Sequence, residues 1–155
     1  PKSIVVFGDE SSAILPDGTR YGVNGLTEAK APDCTLNPVW VQYLASQYGI
    51  VFAECNPQNV VDPKGRMRAV VGARAGDLAG QIDAYVTGGG FGEDALATVL
   101  VGAHDVLALY GDFPDRGRSE LLSEARDLGQ AVGVQINRLI DRGVRVIVAT
   151  VPDQG

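Results

Sequence analysis

Two apolar runs constrain this chain more than anything else in it. Residues 4–7, IVVF, and residues 96–101, LATVLV, carry almost nothing that wants water on either face, so each must be covered from both sides, as the central strands of a parallel sheet are. Each run stops at a glycine and hands over to polar residues. Gly8 leads into Asp9, Glu10, Ser11 and Ser12, and Gly102 leads into Ala103, His104 and Asp105. A third run, residues 144–151, reads as a final strand, closed by Pro152, Asp153, Gln154 and Gly155.

The segments between these runs have helical spacing. Asn37 and Pro38 read as an N-cap and a first helical residue, opening a helix through Val39, Trp40, Tyr43, Leu44 and Gln47 that stops near Gly49, with Trp40 and Tyr43 in the core. Residues 50–53 read as a short strand, and residues 56–68 as a polar connection. A second helix over residues 76–86 sets Leu78, Ile82 and Tyr85 on one face and ends at Gly88-Gly89-Gly90. Asp105 is expected to cap a short helical stretch at residues 106–110. Ser119 is expected to cap a long helix whose apolar stripe runs from Leu121 and Leu122 to Leu139 and Ile140, with Gly143 at its stop. Strand, helix, strand, helix, strand, helix, strand predicts a doubly wound parallel α/β sheet with right-handed crossovers. Ligands in such sheets bind beyond the carboxyl ends of the strands. Residues 16–38, rich in Gly, Pro, Asp, Asn and Thr, form a long loop of the kind that is usually functional, expected over that edge.

At 155 residues the chain is the size of one domain, residues 1–155. A net charge of −6, with no basic cluster beyond the Arg66/Arg68 and Arg116/Arg118 pairs, argues against nucleic acid as a partner. No apolar run is long enough to span a bilayer, and no signal-like segment opens the chain. Cys34 and Cys55 are not spaced for zinc or thioredoxin-type chemistry. They form either a disulfide closing a loop of about twenty residues, worth roughly 3 kcal/mol in the chain-entropy model, or two buried thiols. The disulfide is the favoured reading and implies an oxidising compartment, secreted or periplasmic, with any signal already removed.

Taken in order, V-V-F-G-D-x, W-x-x-x-L-A, G-A-R followed by D-L-x-x-Q-I, V-x-x-G-A-H-D-V and V-x-x-V-P-D resemble the blocks of the SGNH, or GDSL-type, ester hydrolases. The resemblance implies a three-layer αβα sandwich with a flavodoxin-like parallel sheet, incomplete at its C-terminal end. It also implies a hydrolase acting on ester or acetyl groups of a small molecule or an acylated carbohydrate, with no cofactor. The family's nucleophilic serine follows Gly-Asp, the position of Glu10 here. Its oxyanion-binding backbone N–H corresponds to Gly72, and its asparagine donor falls at His104. Its C-terminal Asp-x-x-His pair has no counterpart before Gly155, so a further piece of the same polypeptide is the partner the resemblance calls for.

These departures have chemical consequences. A serine hydroxyl needs a base to become a nucleophile, and the chain holds one histidine. A histidine in the oxyanion position cannot also be that base. A glutamate at position 10 puts negative charge where the oxyanion must form. Ser11 could replace the nucleophile only if the loop turned by one residue. Glu10 is either a solvated loop carboxylate or a partner of His104; His104 is either a satisfied polar residue at a strand end or part of a Glu–His pair that activates water. Asp9 is expected to shape the loop. Were Asp9, Glu10, His104 and Asp105 to converge, they could hold a divalent cation; without H-x-x-x-H spacing, no metal is expected. Ester hydrolysis, lost or rerouted through Glu10 and His104, is the leading expectation, and a binding module for an acylated or carbohydrate ligand is the rival.

Overall fold

The computed structural model describes residues 1–152. Asp153, Gln154 and Gly155, the expected close of the last strand, lie outside the described residues. The chain is α/β, with a four-stranded parallel sheet flanked by helices in a flavodoxin-like layout. Its strands are β1 (Ser3–Gly8), β4 (Gly65–Met67), β5 (Ala95–Leu100) and β6 (Arg145–Val148), in the order β4-β1-β5-β6. A two-residue antiparallel ribbon, β2 (Gly25–Leu26) with β3 (Pro32–Asp33), folds within the long loop. The helices are α1 (Trp40–Ser46), α2 (Leu78–Thr87), α3 (Ala103–Gly111) and α4 (Arg118–Ile140), and a 3₁₀ turn, Ala75–Asp77, leads into α2.

The two apolar runs are the two central strands, for the reason their composition gives. Val5 and Phe7 of β1 and Ala97 and Val99 of β5 face Leu78, Ile82 and Tyr85 of α2 and Leu139 of α4. Ile4 and Val6 of β1, with Leu96 of β5, face Ile14, Phe52, and Val41 and Ala45 of α1. The alternation along each strand thus serves two cores, and Phe7 is completely buried.

Several expectations are corrected. Residues 50–53 are not a strand: Phe52 makes isolated bridges to Cys55 and Gly65, and the ladder on that side of β1 comes from residues 65–67, inside the segment expected to be a polar connection. Burial on both faces is not demanded of a short edge strand, so Arg66 can sit in it. Asn37 does not cap α1. Its φ of 52° turns the chain first, and Val39 becomes the cap, its N–H donating to Gln42 Oε1 at 3.0 Å. Tyr43 lies on the outer side of this short helix, 62 % exposed. Ser119 lies inside α4, which starts at Arg118: Gly117, two residues before Ser119, is the cap, and its carbonyl accepts from Glu120 and Leu121. Of the α4 stripe, Leu121 and Leu139 are buried, whereas Leu122 and Ile140 are half exposed.

The cysteines form the disulfide, Cys34 to Cys55, tying the long loop to the segment after α1. Buried Arg20 braces the same loop, donating to Cys34 O at 2.6 Å and Leu36 O at 2.5 Å. No helix among the described residues is long and apolar enough to cross a membrane.

Candidate functional site

Loops from the carboxyl ends of β1, β4 and β5 meet at one place. The β1 loop is set by Gly8, whose φ is +127° and whose missing Cβ would lie 1.8 Å from Leu100 O. Gln81 of α2 clamps that glycine from both sides: its Oε1 accepts from Gly8 N–H at 2.8 Å and its Nε2 donates to Gly8 O at 2.9 Å. Asp9, buried, then accepts the Ser11 N–H at 2.9 Å, and the Ser12 N–H donates to Asp9 O at 3.2 Å. This local turn fixes where Glu10 points.

Glu10 uses both carboxylate oxygens. Oε2 accepts the Gly72 N–H at 2.8 Å, and Oε1 lies 2.7 Å from His104 Nε2. Gly72 can present its N–H this way because it sits at φ +78°, in the left-handed region that glycine tolerates. Burial pushes the Glu10 carboxyl up, but the N–H of Gly72, its own N–H and His104 together hold it below the usual glutamate range. An ionised carboxylate only accepts, so His104 Nε2 must carry a proton in this contact. The glutamate is well sheltered, its side chain 14 % exposed, and the imidazole is more open, at 32 %.

The other expected residues fall elsewhere. Asp105 caps no helix of its own: α3 begins at Ala103, and the Asp105 carboxylate accepts the Ala75 N–H at 2.8 Å, buried, pinning the 3₁₀ turn ahead of α2. Asp9, through Oδ1, and Asp105 therefore each hold a backbone N–H group, the buried Oδ2 of Asp9 has no partner among the described residues, and of the four side chains only Glu10 and His104 touch. Among the described residues, no group of three or more His, Cys, Asp or Glu side chains is placed to hold a metal ion. Among the described residues, the Ser11 hydroxyl makes no hydrogen bond, and the only hydrogen bond of the His104 imidazole runs to Glu10. Ser12 is fully buried, its Oγ accepting from Trp40 Nε1 at 3.0 Å.

Three contributors escaped the sequence reading. Gln81 was visible only as a letter in a block, Arg20 as a loop charge, and Trp40 as core. None carries a local signal for its partner, because Gly8, Cys34 O and Ser12 are distant in sequence or are backbone atoms.

Three hollows lie at or near the site. One, of about 220 Å³, is bordered by Glu10, Ala13, Leu15, Arg20, Tyr21 and Val71, so the long loop does reach the site. An apolar groove of about 470 Å³ between α3 and α4 is lined by Val106, Leu109, Tyr110, Phe113 and Leu121. A smaller cavity sharing Val106 and Leu109 with it extends to Gly102 and Asp105, next to His104.

Compared with known proteins, the chain matches no family model and no curated sequence.

Proposed function

We propose that this chain is a relative of the SGNH, GDSL-type ester hydrolases whose cleft binds an acylated ligand, an ester or an acetylated carbohydrate, without serine-based turnover. One observation carries the reading: the Glu10 carboxylate spans the Gly72 N–H and His104 Nε2, the two positions where the block resemblance puts the oxyanion donors. Oxyanion stabilisation needs donors that are free when charge develops on the substrate. Here both are engaged by an internal anion, and one of the two is the chain's single imidazole. The apolar groove between α3 and α4, reaching toward Gly102, supplies room for the acyl part of a ligand. The disulfide supports an oxidising location, secreted or periplasmic.

A second reading has its own observation. The 2.7 Å Glu10–His104 contact orients the imidazole and leaves Nδ1 to take a proton from water. Hydrolysis of p-nitrophenyl acetate and p-nitrophenyl butyrate separates the two. The binding reading expects no rate above buffer, together with a rise in melting temperature on adding peracetylated cellobiose. A rate that disappears in both Glu10→Gln and His104→Ala would replace it with rerouted catalysis.

A further inference from the structure

At the opposite end of the sheet, the amino ends of β1 and β4 border a concavity of about 470 Å³. Lys2, Lys64, Arg66 and Arg68 line it, beneath Tyr85 and the Gly88–Gly90 turn that ends α2. The whole chain carries −6, so four cations gathered in one hollow run against the overall charge. Among the described residues, two carboxylates answer them. Glu93 takes Lys2, and Asp62 takes Lys64 and Arg66.

Among the described residues, Arg68 has neither an ion pair nor a hydrogen bond from its guanidinium. That group lies 5.4 Å from the centroid of the Tyr85 ring, a stacking contact that fixes its direction and leaves its N–H groups without acceptors. The obvious structural task for such a cation is to bind the last carbonyls of α2. That task is already done: Ala84 O, Tyr85 O and Val86 O accept from Gly88, Gly90 and Gly89. Arg66 and Arg68 are two residues apart on one strand-like segment, so they share a face; the Arg66 guanidinium is held by the Pro63 carbonyl and Asp62, while that of Arg68 offers a planar fork that matches phosphate oxygens.

We propose that this hollow binds a small diphosphate-type anion, with Arg68 as its principal ligand and Arg66, Lys2 and Lys64 completing the positive wall. Burial holds the Tyr85 hydroxyl above its usual range against the pull of Arg66 and Arg68, so it stays an O–H donor at neutral pH. The site is independent of the Glu10–His104 contact.

Isothermal titration with inorganic pyrophosphate, ADP and sodium sulfate tests it on the full chain. Wild type is expected to bind pyrophosphate saturably, one per chain. Arg68→Gln should weaken that at least tenfold, Arg68→Lys by less, and Glu10→Gln not at all; far-UV circular dichroism confirms that each variant is folded. ADP binding that is tighter than pyrophosphate and also lost in Arg68→Gln supports the site with a nucleotide as the source of the diphosphate. Equal affinities support recognition of the diphosphate alone. Three results would overturn the proposal: no binding to wild type, an affinity unchanged in both Arg68 variants, or sulfate binding as tightly as pyrophosphate.

Discussion

Glu10 decides the chemistry because it is a short step of chain from a rigid strand and has two good donors within reach. Its contacts are charge-assisted and sheltered, yet the pair is not fully buried, so solvent takes back part of their value. Glu10→Gln keeps an acceptor for Gly72 and loses the charge, and it is expected to cost about 1–2 kcal/mol at neutral pH. The folded-state pKa lies below the unfolded one, so the ionised form stabilises the fold at pH above the unfolded value and stops doing so as pH falls through the folded value. The gap between wild type and Glu10→Gln in urea unfolding should therefore be full at pH 7 and close as pH drops below about 4. A gap that stays constant to pH 3 would show that the carboxylate's charge contributes nothing.

Among the elements, the contact between β1 and β5 leaves the least freedom. Gly8 combines a φ of +127° with a Cβ position 1.8 Å from Leu100 O, so both the backbone and the space refuse a side chain. Gly8→Ala is expected to cost about 4 kcal/mol or more, or to prevent folding. Gly129→Ala, in the interior of α4 with nothing within 4 Å of its Cβ position, should instead stabilise by about 0.5–1 kcal/mol. Equilibrium urea unfolding of the two variants checks both signs. The same contrast explains what could be read from sequence. β1 and β5 were legible because a strand buried on both faces must be apolar throughout, and α2 was legible because Leu78, Ile82 and Tyr85 repeat at helical spacing. β4 was not, because an edge strand of three residues containing Arg66 obeys no such rule; its place is set by pairing with β1. The caps at Asn37 and Ser119 were misplaced for a related reason: a backbone turn at Asn37 and the Gly117 carbonyl fixed the helix starts, neither of which depends on a capping side chain.

At the scale of the whole molecule, the sheet brings together residues from three loops and sorts them. The sequence put Asp9, Glu10, Gly72, His104 and Asp105 on one edge, and they are on it. Which of them touch was not legible, because Asp9 and Asp105 find backbone N–H groups at Ser11 and Ala75 that no motif announces. The disulfide and buried Arg20 hold the long loop beside the same edge, and the Gln81 clamp ties that edge to α2. The structure thus spends its fixed contacts on positioning Glu10, whose carboxylate in turn occupies Gly72 and His104. Following the backbone amide of Gly72 by ¹H–¹⁵N NMR across a pH titration tests that occupancy directly. The Gly72 signal should shift with a midpoint below the usual glutamate range, and the shift should vanish in Glu10→Gln; a Gly72 amide that does not respond to pH, or that responds identically in Glu10→Gln, would mean that Glu10 does not fill the site.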